Sequence, residues 1–149
     1  MATQATIARH NTDGTFDTIY LHFDGYLDHT FRILREHYAT QASVDELIEL
    51  GDLSVIAEHA DPGPGQDYHS FETPAQDVCI AYHRDRGESY AKTKAQRVPL
   101  LTSDDTAFYT YVWSNGQWYA FAGGKPVEDQ ELGTMALADK LHQIEHITS

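Results

Sequence analysis

AFYTYVWSNGQWYAFA, Ala107 to Ala122, is the stretch whose reading decides the fold of this chain. Two aromatic-rich runs flank Ser114-Asn115-Gly116-Gln117, and Asn-Gly in that setting is the strongest short-range signal of a β-hairpin. A type I′ turn needs positive φ at both central residues, which Asn and Gly tolerate best. A two-residue loop then sets Trp113 opposite Trp118, Val112 opposite Tyr119 and Tyr111 opposite Ala120. Tyr109, Tyr111 and Trp113 share one face of the strand, and Phe108, Thr110 and Val112 share the other. Both faces are apolar enough to be covered, so burial is expected; the competing reading is an aromatic interaction surface.

Working outward, Thr6–His10 and Thr15–Asp24 read as strands joined through the turn cluster Asn11-Thr12-Asp13-Gly14. In the second strand Ile19, Leu21 and Phe23 alternate with Tyr20, His22 and Asp24, which separates a core face from a polar face. Leu27, Phe31, Leu34 and Tyr38 then form one helical stripe, with Arg32, Arg35 and Glu36 turned away. A second helix is expected to start at a Ser43/Glu46 capping box, carry Leu47, Ile48 and Leu50, and stop at Gly51. Residues 60–76, rich in Pro and Gly, read as a long loop. Asp77–Asp85 reads as a third strand, Glu88–Ala95 as a short helix and Val98–Leu101 as extended chain. Gly123-Gly124 ends the hairpin, and Leu137, Leu141 and Ile144 mark a last helix over Thr134–Ile147. The order ββαα-β-ββα predicts one α+β domain over residues 1–149. Its sheet is mostly antiparallel, about five to six strands with about three helices packed on it.

Composition narrows the function classes. A single cysteine, Cys79, removes both an internal disulfide framework and a cysteine-cage zinc site. The opening MATQATIARH lacks the basic-then-apolar layout of a secretory leader, and no apolar run nears the ~20 residues of a membrane span. A cytoplasmic location is therefore expected. The formal net charge of −13 disfavours direct contact with nucleic acid or an anionic membrane.

That charge is uneven. Between Glu36 and His83 ten carboxylates stand without one Lys or Arg, among them Asp45, Glu46, Glu49, Asp52, Glu58, Asp61 and Asp67. A basic island follows, made of Arg84, Arg86, Lys92, Lys94 and Arg97. Two readings compete: acidity that only keeps a small protein soluble, and a surface built to attract a cationic partner.

Catalytic patterns are weak. His22 and Asp24 on one strand, and His83 and Asp85 on another, would make a two-His, two-carboxylate site if the strands were neighbours. The competing reading is an ordinary solvated sheet face. His142-Gln143-Ile144-Glu145-His146 matches the H-x-x-E-H spacing of inverted zinc peptidases, without the downstream acidic ligand that chemistry uses. Ser89-Tyr90-Ala91-Lys92 matches S-x-x-K without a companion motif. No phosphate-cradling Gly loop, dinucleotide fingerprint or nucleophile elbow occurs, so no cofactor and no resident metal is expected.

IYLHFDGYLDHTFRILREHY (Ile19–Tyr38), VDELIELGDLSVI (Val44–Ile56), HSF (His69–Phe71) and AYHRDRGE (Ala81–Glu88) together resemble a family of small proteins encoded by bacteriophages, prophages and related elements. The most distinctive segments are H-[FW]-D-G-Y and AYHRDRGE; Leu27 stands where such proteins commonly have Pro. The resemblance implies an accessory protein of the bacterial cytoplasm and transfers no catalytic residue. The leading expectation is thus an acidic inhibitor or modulator of a host protein, in counter-defence or as a DNA mimic, binding a basic surface through residues 36–83. The alternatives are a metal-assisted hydrolase of nucleotides or nucleic acid using His22, Asp24, His83 and Asp85, and a homodimer pairing the acidic half with the island.

Overall fold

In the computed structural model, which describes residues 3–60, 77–99, 109–122 and 125–126, Asn115 and Gly116 adopt φ of 53° and 78°. The hairpin registers as Trp113↔Trp118, Val112↔Tyr119 and Tyr111↔Ala120, with the two indole rings 5.5 Å apart. The sheet grows around it. Its strands are β1 (Ala5–His10), β2 (Phe16–Leu21), β3 (Leu53–Val55), β4 (Ile80–Ala81), β5 (Gln96–Val98), β6 (Tyr109–Ser114), β7 (Gln117–Ala122) and β8 (Lys125–Pro126). They lie in the order β4-β3-β2-β1-β6-β7-β8, with β5 beside the first half of β2. Antiparallel pairing dominates, as the element order suggests, but β1 runs parallel to β6 and β2 parallel to β3. The sheet is mixed, and it holds more strands than expected because β3, β5 and β8 are too short to show a period of two.

The helices cover one face. A π-helical turn (Leu27–Phe31) runs into α1 (Arg32–His37), followed by α2 (Gln41–Glu49), α3 (Tyr82–Arg86) and α4 (Tyr90–Thr93). Phe31, Leu34 and Tyr38 of the expected stripe are buried, with Val44, Leu47 and Ile48 of α2, against Ile7, Ile19, Leu21, Tyr111 and both Trp side chains. On the opposite face Ala8, Phe16, Val112, Tyr119 and Phe121 form a second buried cluster. Tyr111, Trp113 and Trp118 on one face and Thr110, Val112, Tyr119 and Phe121 on the other are buried, so among the described residues neither face of the hairpin is an exposed aromatic surface. Trp118 Nε1 donates to the Tyr38 carbonyl (2.8 Å) and Tyr111 Oη to the Gly25 carbonyl (2.6 Å), which ties the hairpin to the helical layer.

Three local expectations change. The α2 cap is Thr40, not Ser43: the Thr40 hydroxyl accepts the Ser43 N–H and the Ser43 hydroxyl accepts the Thr40 N–H, so Ser43 closes the box from inside the helix. The third strand stops at Ala81 and does not reach Asp85. There the Asp85 carboxylate takes the Ala81 N–H (2.7 Å), which draws the chain into α3 until Gly87, at φ 76°, ends it. The second strand ends at Leu21, because Asp24 takes a left-handed φ of 57° and turns the chain toward the π-helical turn. Gly51 terminates α2 as expected, with φ 80°. A methyl group there would also lie 2.4 Å from the Thr93 carbonyl, so the position serves a close approach between α2 and α4. The loop after Ala60 as far as Gln76, Leu100 to Phe108, Gly123-Gly124 and the C-terminal helix with its H-x-x-E-H spacing lie outside the described residues.

Candidate functional site

The charged residues do not stay in the blocks they form along the chain. Arg9 of β1 reaches both Asp17 of β2 and Asp45 of α2 (2.9 Å to the latter), and Gln41 donates to the same Asp45 oxygen. Arg97 of the basic island donates to Asp17 from its Nε (2.9 Å). The Arg97 hydrogen bond is the largest reason the Asp17 carboxyl is held below its ordinary range, with Arg9 adding to it against the cost of burial. Glu58 lies 3.7 Å from His37, and Glu36 is engaged by Arg32 on the same helix. Asp61 and Asp67 lie outside the described residues.

The basic island is largely consumed by the fold. Arg84 donates to the carbonyls of Ala60 (2.6 Å) and Cys79 (2.8 Å) and to both oxygens of Asp85. Arg86 stacks over the Tyr82 ring, 4.9 Å to its centroid, and reaches toward the Ser54 hydroxyl. Lys92 and Lys94 are exposed on and just after α4. That helix abuts the acidic one: Tyr90 Oη donates to the Glu49 carbonyl (3.2 Å) and the Asp52 N–H to the Thr93 carbonyl (2.7 Å).

The four His/Asp residues proposed for catalysis serve separate tasks. His22 Nδ1 meets Tyr20 Oη at 2.6 Å. Asp24 is an exposed turn residue whose carbonyl accepts the Thr30 hydroxyl. His83 Nδ1 sits 2.8 Å from the Glu88 carbonyl and its ring lies against Tyr90. Asp85, its side chain only 1% exposed, is the buried partner of Arg84. His83 and Asp85 lie on a helix and not on a strand, and β3 separates β4 from β2. Among the described residues no group of three or more His, Cys, Asp or Glu side chains is arranged to hold a metal ion. Cys79 is fully buried, and burial pushes its thiol up, away from the reactive thiolate.

Two features stand out from this background. The first is the outer face of α2, where Asp45, Glu46 and Glu49 are exposed and no basic side chain occupies the last turn. A helix C-terminus carries about half a negative charge, so carboxylates there cost roughly 0.3–1 kcal/mol each. Asp45 is accounted for by Arg9 and Gln41, whereas Glu49, in the last turn, is set against the dipole.

The second lies where α2 leads into β3. Asp52 accepts the Tyr20 N–H through Oδ1 (2.9 Å), and its own carbonyl accepts the Tyr82 N–H (3.1 Å). Burial raises the Asp52 carboxyl, opposed only by the Tyr20 hydrogen bond. Tyr20 is raised too, by burial first and then by the charges of Tyr82 and Asp52. Tyr82 escaped the sequence reading because it looked like part of a strand; it is the first residue of α3. The described helices include none long and apolar enough to cross a membrane. Comparison with known protein families, with curated proteins and with solved structures finds no match to this chain.

Proposed function

We propose that the protein acts by binding: it offers the outer face of α2, with Asp45, Glu46 and Glu49, to a basic surface on a partner protein. The observation that carries this reading is the set of exposed carboxylates on that face, with Glu49 at the negative end of the helix, where it opposes the dipole. A side chain set against local stability is a candidate for function. The phage resemblance supplies the context, an acidic modulator of a host protein in the bacterial cytoplasm, and a carboxylate-bearing helix can stand in for phosphates on a DNA-binding surface. The hydrolase alternative gains no support from the placement of His22, Asp24, His83 and Asp85, since Asp85 is spent on Arg84.

The double variant Glu46→Gln/Glu49→Gln tests the proposal. Its melting temperature should stay close to that of the parent, because both side chains are exposed and Gln keeps their shape and hydrogen-bonding capacity. Its capture of protein from bacterial extract should fall at least several-fold, and capture by the parent should weaken between ~0.05 and 0.3 M salt. Equal capture by both chains, indifferent to salt, sinks the reading.

A further inference from the structure

We propose that Asn115 is a modification site: its side-chain amide is displaced by the backbone amide of Gly116, and the hairpin tip ages to aspartate and isoaspartate. The reaction is an intramolecular imide formation followed by hydrolysis, with water as the co-reactant. It is independent of the acidic face of α2.

Asparagine is a chemically labile residue, and a glycine after it leaves the next backbone amide unshielded by a side chain. The chain has two asparagines, and folding treats them in opposite ways. Asn11 is held at both ends of its carboxamide: Nδ2 donates to the Thr15 hydroxyl (3.1 Å) and Oδ1 accepts from Arg9 Nε (3.1 Å). The β-branched Thr12 follows it. Asn115 and Gly116 are both exposed, and among the described residues neither the Asn115 carboxamide nor the Gly116 amide has a hydrogen-bond partner. A Cβ built on Gly116 would meet nothing within 4 Å, so open space surrounds the attacking nitrogen. The two Asp-Gly pairs are closed by contrast. The Gly25 amide donates to the Thr3 carbonyl (2.7 Å) where a Cβ would lie 2.7 Å from that of Ala5. The Gly14 amide donates to the Asn11 carbonyl (3.0 Å), and the Asp13 carboxylate takes the Thr15 N–H (2.9 Å).

In the first step the Gly116 nitrogen attacks Asn115 Cγ and the new N–Cγ bond closes a five-membered imide. The Cγ–Nδ2 bond breaks, and Nδ2 leaves as ammonia with the proton that the Gly116 amide gives up. Water then opens one of the two imide carbonyls, giving aspartate or isoaspartate, with no change of oxidation state. Attack requires Asn115 to leave its left-handed backbone, φ 53°, and the tip is free to do so while its strands stay anchored. Trp113 and Trp118 pair just behind it. Trp113 Nε1 donates to Gln41 Oε1 (2.8 Å) and Trp118 Nε1 to the Tyr38 carbonyl (2.8 Å). The two products differ in consequence. Aspartate tolerates the left-handed turn and adds a negative charge to the tip. Isoaspartate routes the backbone through Cβ, which lengthens a two-residue loop whose geometry sets the strand register.

The test needs no partner. The full chain is incubated in warm, near-neutral buffer made with oxygen-18 water, beside a capped synthetic peptide of residues 112–118, and both are followed by peptide mapping and mass spectrometry. Asn115 should take up oxygen-18 and resolve into an aspartate and an isoaspartate peptide, the second accepting a methyl group from an isoaspartate-specific carboxyl methyltransferase. Asn11 should stay unchanged over the same interval. Gly116→Ala covers the attacking amide and should slow the uptake several-fold, and Asn115→Gln, which would have to close a six-membered ring, should abolish it. An Asn115 still intact when the peptide has fully converted overturns the proposal. So does conversion of Asn11 as fast as that of Asn115, which would mark a reaction of the unfolded chain, or an unaltered rate in Gly116→Ala.

Discussion

Asp17, Asp52 and Asp85 carry the same side chain into three different electrostatic settings. Arg97 and Arg9 hold the Asp17 carboxyl below its ordinary value near 3.9, so its stabilising contribution is complete above about pH 4. It is lost as pH falls through the depressed folded value. Asp17→Asn should therefore lower stability at pH 7 and flatten the acid limb of the urea midpoint; an unchanged pH profile refutes the assignment. Burial gives Asp52 the opposite sign. Its folded form favours the proton, so its contribution declines as pH rises from about 4 through the raised value. Asp85 is the most withdrawn of the three, and Arg84 both neutralises it and binds two backbone carbonyls. Arg84→Ala leaves a buried charge alone and should cost about 3–5 kcal/mol in chemical denaturation. A loss below about 1 kcal/mol would place the carboxylate in water.

Among the elements, α2 shows how local signals and tertiary contacts divide the work. Its apolar stripe and its Gly51 stop follow from the amino acids in order, as periodicity and left-handed geometry require. Its start does not, since Thr40 and Ser43 each suit a cap and only the extended backbone at Thr40 selects between them. Gly51 also carries a constraint invisible in the chain, the Thr93 carbonyl where a methyl would sit. Gly116 shares the positive φ, but nothing lies within 4 Å of a methyl there. Gly116→Ala should thus cost about 1 kcal/mol for backbone strain, and Gly51→Ala clearly more, with disturbance of α4. Equal losses in urea unfolding would remove the close approach from the account.

On the scale of the whole molecule, a net charge of −13 makes the folded chain repel itself. Screening shortens the Debye length from about 8 Å at 0.15 M to about 3 Å at 1 M. Exposed pairs such as Arg32–Glu36, with both side chains about half exposed, are worth only a few tenths of a kcal/mol, so screening them forfeits little. Relief of repulsion should win, and the melting temperature should rise when sodium chloride increases from ~0.02 to ~0.5 M. A fall would show that the ion pairs outweigh the excess charge. The separation of an acidic half from a basic island is weaker in space than along the chain. Arg9 arrives from β1 to meet Asp45, Arg97 turns to Asp17, and α4 packs beside the end of α2.

The amino-acid order by itself determined the hairpin and its register, the two helical stripes, the α+β class and the excess of carboxylates. These depend on neighbours a few residues apart, where alternation, the 3.6-residue period and Asn-Gly turn geometry act directly. Tertiary structure decided what depends on distant segments. The parallel pairing of β1 with β6 joins segments about a hundred positions apart, and no local pattern encodes it. The end of β4 at Ala81 follows from where Asp85 finds a donor, and that choice moved His83 and Asp85 onto a helix. Asp52, one carboxylate among ten in its stretch, became distinct only when folding half-buried it beside Tyr20 and Tyr82, because desolvation and pairing are properties of neighbours in space.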